Sequence, residues 1–186
     1  MRRSRSLGGE RGQAATELIL VLPVFLALVF GLIELGKGFA YWVDMTHLAG
    51  EGGRYAAVSW FPGCAANSTG ACPAPNTTLK QYIANQTDTA ELRTGDSTNP
   101  NAEVPSALGV SFCYPPQTGG VAKGTPGSAL RVKITSTYRL SLVKAALGLI
   151  PGFGGLGDVS LGAGSTVRLE RPIDPARLGQ ATIPDC

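Results

Sequence analysis

The chain has 186 residues, with 16 lysines and arginines against 13 aspartates and glutamates, and a formal net charge of +3. This excess lies entirely in the first twelve residues, where four arginines stand against the single Glu10. The rest of the chain is neutral, which argues against a nucleic-acid partner. The hydrophobic share is 44% and the charged share only 16%, which excludes a disordered chain and indicates a segment that avoids water.

A long apolar segment follows the arginine-rich start. Residues 18–33 read LILVLPVFLALVFGLI and carry no charge. Their thirteen Leu, Ile, Val and Phe side chains favour transfer into a bilayer by about 4 to 8 kcal/mol. Flanking residues bring the helix to membrane-spanning length, and Tyr41 and Trp42 fall where an interfacial aromatic belt belongs. We therefore predict a transmembrane helix over residues 13–43.

The charges beside this segment predict its orientation. Positive residues precede the helix, whereas Lys37 and Asp44 nearly cancel after it, so the amino terminus is expected in the cytoplasm. A cleaved secretory signal peptide is the alternative, but no A-x-A-like site follows the apolar run. The predicted organisation is a basic cytoplasmic leader over residues 1–12, the transmembrane helix, and an extracytoplasmic domain over residues 44–186.

A glycine and a glutamate border the apolar segment at a characteristic spacing. Gly12 lies just before the segment, and Glu17 stands five residues later. This arrangement resembles the prepilin-peptidase signature of type IV pilins, in which cleavage after the glycine leaves the apolar helix intact. The resemblance implies a new amino terminus at Gln13, near the Glu17 carboxylate, and a carboxylate in lipid needs such a partner. The alternative is an ordinary signal anchor in which Glu17 marks the cytoplasmic interface.

The similarity extends over residues 11–58. An R-G pair before A-A-x-E, an L-P pair within the span, G-L-I-E-L-G at its end and a closing E-G-x-R-Y-A-A-V occur in this order. Together they resemble the TadE-like family of tight-adherence (Flp) pilus assembly proteins. The resemblance implies a non-enzymatic minor pseudopilin in which Glu17, Pro23 and Glu34 serve helix assembly. Gln13, in place of the phenylalanine common at the first mature position of type IV pilins, favours a minor pseudopilin. The implied partners are membrane lipid, other pilins and pseudopilins, the prepilin peptidase and the pilus assembly machinery.

Beyond the membrane, the sequence periodicity predicts a small α+β domain. The first helix is expected to continue to about residue 58, because small and apolar residues recur at three- and four-residue spacing. This stripe comprises Met45, Leu48, Ala49, Gly52, Tyr55 and Ala56. A second helix is predicted over residues 77–92. Alternating apolar residues predict three antiparallel strands around residues 108–114, 130–142 and 159–169. A long helix carrying such a domain is the pilin-like plan.

Four cysteines fall in the predicted external domain. An even number in an oxidising compartment indicates two disulfides, and three connectivities are possible. We favour Cys64–Cys72, which closes a short loop, and Cys113–Cys186, which would join the end of the chain to the first strand. Free buried thiols are the alternative. No C-x-x-C pair is present, so no metal site is predicted.

The remaining motifs do not indicate catalysis. Residues 152–157 match G-x-G-x-x-G, but no strand precedes them and no helix follows, so no nucleotide is expected. His47 lies beside Asp44 and Glu51 on a solvated helix face and is interpreted as polar surface rather than as a catalytic base, so neither catalytic residues nor cofactors are predicted. Arg131, Lys133 and Arg139 share the solvated face of the second strand, with an anionic partner surface as the minority interpretation. The alternative function is a membrane-anchored module that binds an extracytoplasmic ligand or surface.

Overall fold

The computed structural model describes residues 8–62, 64, 78–99, 102–117, 119–142 and 158–186, with side chains from residue 13 onward. The elements in chain order are α1 (Gly8–Val58), α2 (Leu79–Asn85), α3 (Ala90–Thr94), β1 (Gly109–Cys113), β2 (Ala129–Arg139), β3 (Asp158–Arg168) and α4 (Pro175–Leu178). A long amino-terminal helix, a small second helix and a three-stranded antiparallel sheet confirm the predicted α+β class.

The chain divides into two compact units. One comprises Met1–Lys37 and Leu140–Gly157, and the other comprises Gly38–Arg139 and Asp158–Cys186. The first unit contains the apolar part of α1. The second contains the sheet, the shorter helices and the remaining part of α1.

The sheet has the strand order β1-β2-β3, and both pairs of neighbours are antiparallel. The period-two pattern of β2 places Leu130, Val132 and Ile134 on one face, where all three are completely buried. Val110 and Phe112 of β1 lie on the same face and are also buried. The predicted alternation of these two strands is therefore confirmed up to Arg139, and their apolar side chains form the core of the second unit. The prediction that the second strand continues to residue 142 is wrong, because β2 ends at Arg139 and residues 141–142 are helical.

Strand β3 is less buried than its alternating sequence suggests. Its apolar residues are only half-buried, and Val159 is 42% exposed. β3 is an edge strand of the described sheet and pairs only with β2, whereas the outer edge of β1, the other edge strand, is covered by the carboxyl-terminal residues. A side chain on an edge strand has a neighbouring strand on one side only, so the same alternation buries less apolar surface there.

The part of α1 beyond residue 37 packs on the buried face of the sheet. Met45, Leu48, Ala49 and Ala56 are almost fully buried, as the predicted stripe requires. The glycines of this segment permit close approach. A Cβ atom at Gly52 would lie 2.5 Å from Ile83 Cδ1 of α2, and the same atom at Gly53 would lie 2.9 Å from Val167 Cγ1 and 3.2 Å from Ser165 Oγ of β3. The glycines lower the helix propensity of α1 in this segment, but their lack of a side chain allows the close contact between α1 and β3.

This packing predicts opposite effects for two neighbouring glycines. Gly53→Ala should destabilise the second unit by about 1 kcal/mol, because overpacking against β3 outweighs the gain in helix propensity. Gly50→Ala is the matched control, since no atom lies within 4 Å of its Cβ position. It should instead stabilise the unit by about 0.5 to 1 kcal/mol. Thermal unfolding of the full chain in detergent measures both, and equal shifts for the two variants would contradict the proposed contact.

The single helix predicted over residues 77–92 is divided into α2 and α3. Thr78 caps the first turn of α2 by accepting a hydrogen bond from the Gln81 amide at 3.3 Å. The helix ends where Thr87, which is fully buried, donates its hydroxyl hydrogen bond to the Ala84 carbonyl at 2.8 Å. A buried threonine bonded to the backbone competes with helix continuation, so the chain turns before α3 begins.

The carboxyl-terminal residues cover the outer edge of β1. Helix α4 is capped by Asp174, whose carboxylate accepts a hydrogen bond from the Ala176 amide at 2.9 Å. Beyond it, Gln180 Oε1 accepts from the Phe112 amide at 2.6 Å and Gln180 Nε2 donates to the Phe112 carbonyl at 3.2 Å. The Tyr114 amide then donates to the Pro184 carbonyl at 2.8 Å. These bonds satisfy edge groups of β1 that would otherwise invite another strand.

Candidate functional site

The apolar half of α1 forms an extended exposed surface. Large apolar side chains along residues 18–43 are accessible, with exposed fractions of up to 76% at Leu20. Within the described part of the chain, one helix, Gln13–Val58, is long and apolar enough to cross a membrane. A surface with this many exposed apolar side chains is energetically unfavourable in water, but it is stable in lipid or against other apolar helices.

Glu17 lies at the start of this apolar surface and is exposed. Its Oε1 accepts a hydrogen bond from Gln13 Nε2 at 3.3 Å, one helical turn earlier. Thr16 donates its hydroxyl to the Gln13 carbonyl at 2.8 Å. The helical backbone begins at Gly8 and therefore includes Gly12. The three residues of the predicted processing site thus lie on one continuous helical segment.

Pro23 and Glu34 occupy very different positions on the same helix. Pro23 is exposed and lies inside α1, where it has no amide hydrogen to donate to the Ile19 carbonyl four residues earlier. Glu34 is only 1% exposed although the large apolar residues around it are accessible. Its sequence position alone does not predict this burial, because the neighbouring Ile33 and Leu35 are both exposed.

The aromatic residues near the end of the apolar surface divide into two groups. Tyr41 is buried against Tyr138 of β2, with ring centroids 5.6 Å apart in an edge-to-face arrangement. The position of Tyr41 at a membrane interface stays a prediction, but its ring is part of the core of the second unit and is not accessible as an interfacial side chain. Phe39 and Trp42 are exposed and stack with a centroid distance of 5.8 Å. These two side chains provide the accessible aromatic surface, and the prediction overlooked Phe39.

Two of the four cysteines are joined to each other in the described structure. Cys113, the last residue of β1, forms a disulfide with Cys186. Cys64 is also disulfide-bonded, whereas Cys72, its predicted partner, lies outside the described residues. The Cys113–Cys186 bond holds the covering segment of residues 180–186 against the edge of β1.

Where the structure describes them, the other motifs take no part in a recognisable catalytic or metal site. Among the described residues, no group of three or more His, Cys, Asp or Glu side chains is placed to hold a metal ion. His47 is exposed on α1, and the glycine-rich residues 152–157 lie outside the described part of the chain. Arg139 pairs with Asp158, with 3.2 Å between its Nε and the carboxylate Oδ1, whereas Arg131 and Lys133 are exposed.

These observations define the class: an α+β protein whose amino-terminal helix has the length and composition of a membrane anchor. Residues 12–54 match the family model described as TadE-like protein. The resemblance predicted from the sequence is confirmed over this segment, which covers the candidate processing site and most of α1. No curated protein and no solved structure gives a significant match.

Proposed function

We propose that the chain is a non-enzymatic minor pseudopilin that acts in the assembly or anchoring of a tight-adherence (Flp) surface pilus. One observation carries this proposal: the segment that matches the TadE-like family coincides with the Gly12–Glu17 spacing and the exposed apolar surface. A simple membrane anchor requires the apolar surface but has no need of the glycine and glutamate at that spacing.

The proposed topology is a single pass through the cytoplasmic membrane. The basic leader over residues 1–12 stays in the cytoplasm, residues 13–43 span the bilayer, and residues 44–186 form the extracytoplasmic domain. The charge asymmetry around the apolar segment supports this orientation. The Cys113–Cys186 disulfide supports an oxidising compartment for the domain that contains it.

Processing would convert Glu17 into an assembly residue. Cleavage after Gly12 creates an amine on Gln13, and removes the positive leader from the apolar helix. The Glu17 carboxylate is exposed, with only the Gln13 amide as a described hydrogen-bond partner. A carboxylate in hydrocarbon is costly, so it would favour the amine of the same or a neighbouring subunit, and that pair would set the register between helices.

The exposed surface of α1 would contact lipid first and the helices of other pilins and pseudopilins later. Pro23 would loosen the helix within this contact region, since it removes one backbone hydrogen bond. Glu34, a buried carboxylate near the end of the apolar segment, would also serve the assembly of these helices. The prepilin peptidase and the pilus assembly machinery are the proposed partners, and the external domain would contact pilus subunits or assembly components.

Substitution of Glu17 tests the proposal. We expect Glu17→Ala cells to insert the protein into the membrane normally but to assemble few pili, because the carboxylate is needed only for helix registration. Immunoblots of membrane fractions and of sheared surface pili measure the two steps separately. Thr16→Ala is the matched control on the adjacent exposed position and should leave both steps unchanged. Normal piliation of Glu17→Ala cells would refute the pairing of this carboxylate with an amine.

A further inference from the structure

The charges of the second unit are distributed unevenly along its chain. Residues 38–103 carry six acidic and three basic side chains, counting His47 as neutral. The other residues of the unit carry four acidic and seven basic side chains. The two parts therefore have formal charges of −3 and +3.

The positive charge is concentrated on the face of the sheet that points away from α1. Arg131 and Lys133 alternate with the buried residues of β2, and Arg168 lies at the end of β3. All three side chains are exposed, and none has a carboxylate partner among the described residues. Arg131 and Lys133 are separated by about 7 Å along the strand. These three residues define the basic sheet face.

Glycine makes this face flat and accessible. Gly164 stands opposite Lys133, and Gly162 and Gly109 stand opposite Thr135 on its two sides. The Arg131 side chain lies across Gly164, with its Nε 3.3 Å from the position of a Cβ atom there. No large side chain of these neighbouring positions projects above the cations, so another protein surface can approach them directly.

The negative charge lies on the helical side of the same unit. Asp88, Glu91 and Asp96, in and around α3, are exposed and define the acidic helical surface. Asp88 lies beside Asp44 of α1, which packs on the opposite side of the sheet from the basic sheet face. The one arginine among these residues, Arg93, turns its Nη2 to the Thr87 carbonyl at 2.6 Å.

Asp96 remains ionised at neutral pH. Its Oδ1 accepts hydrogen bonds from the Thr98 hydroxyl at 2.7 Å and from the Asn99 amide at 3.1 Å. These bonds, the Thr98 hydroxyl foremost, hold the pKa of the Asp96 carboxyl below its ordinary value. The acidic helical surface therefore carries a fixed negative charge under physiological conditions.

We propose that copies of this chain associate head to tail, with the basic sheet face of one copy bound to the acidic helical surface of the next. The two surfaces are complementary in charge and lie on opposite sides of the unit. A bound pair of copies therefore still has one free basic sheet face and one free acidic helical surface. A heterologous contact of this type repeats. Because the contact joins two different surfaces, it requires no two-fold axis between copies and is compatible with α1 running in the same direction in successive copies.

The contact depends on salt and is independent of processing at Gly12, so its failure would leave the proposed pseudopilin function untouched. We expect the full chain in detergent micelles to associate at about 0.05 M NaCl and to dissociate at about 0.5 M, where the Debye length shrinks to a few ångströms. Sedimentation velocity measures both states. The double variant Arg131→Glu/Lys133→Glu, or Asp88→Lys/Glu91→Lys, should weaken association at low salt by about tenfold or more.

Mixing these two double variants provides the sharpest test. Neither should associate alone, but together each presents the surface that the other needs, so association should return in a 1:1 mixture. Lys123→Glu/Arg171→Glu is the control for net charge, because it makes the same change in charge as Arg131→Glu/Lys133→Glu at two residues that belong to neither defined surface, and it should associate like the unaltered chain. Lys123 forms an ion pair with Asp185, so the folding check matters most for this variant. Folding of every variant is checked by cooperative unfolding and by formation of the Cys113–Cys186 disulfide.

Three results would overturn the proposal. Association that is unaffected by salt and by the reversals would place the contact elsewhere. Failure of two folded variants to associate when mixed would show that charge complementarity is not the basis of the contact. Unchanged self-association, with loss of binding of the Arg131→Glu/Lys133→Glu variant to phosphatidylglycerol vesicles, would identify an anionic lipid surface as the ligand instead.

Discussion

A Gly12→Val variant is expected to keep its leader. The residue before the predicted cleavage point has no side chain in the unaltered protein, and a β-branched side chain would obstruct an extended peptide in a protease cleft. The unaltered chain should begin at Gln13 in cells with an active prepilin peptidase, whereas the variant should begin at Met1. Intact-mass measurement and amino-terminal sequencing of the membrane fraction distinguish the two products.

The same substitution at a nearby glycine is the control for this experiment. Gly9→Val introduces the same side chain three residues earlier in the leader and should leave cleavage after Gly12 unchanged. A Gly12→Val protein that still begins at Gln13 would contradict the assignment of the site. An unaltered protein that retains Met1 beside an active peptidase would instead support the ordinary signal anchor.

Removal of the Cys113–Cys186 disulfide should cause the largest loss of stability. The bond joins residues 73 positions apart, so its loss frees a long loop in the unfolded chain and costs about 4 kcal/mol on a loop-entropy model. This is a large share of the roughly 5 to 15 kcal/mol that stabilises a typical domain. The double variant Cys113→Ser/Cys186→Ser avoids a lone thiol, and its denaturation midpoint in detergent measures the effect.

The structure also predicts which amides lose protection from hydrogen exchange first when this disulfide is removed. Without the disulfide, the segment covering β1 is held by the Gln180 and Tyr114 hydrogen bonds, and the amides of Phe112 and Tyr114 should exchange with solvent faster. Cys64→Ser/Cys72→Ser is the comparison variant, and it should lose less stability because its predicted loop is much shorter. An equal loss in the two variants would show that loop length is not the source of the stabilisation.

The amino-terminal third of the protein was predictable because its determinants are local. A helix long and apolar enough to cross a membrane follows from a run of apolar residues, whereas its orientation stays a prediction from the charges at its two ends. The Gly12–Glu17 spacing and the matches up to Arg54 are also read directly from the chain, and the family match covers the same residues. Alternation similarly predicted β1 and β2, since the period of two directly reports a face that is buried.

Sequence by itself thus determined the apolar helix, the strands and the stripe of small residues along α1, whereas tertiary structure decided which surfaces remain accessible. Tyr41 has the composition of an interfacial residue, but Tyr138 covers it, and Glu34 is buried although both neighbours are exposed. Val159 is exposed because β3 is an edge strand, and the edge of β1 is covered because Gln180 and Cys186 reach it from far along the chain. Hydropathy and periodicity describe a residue and its near neighbours, while burial depends on contacts between distant segments, and those contacts exist only in the folded protein.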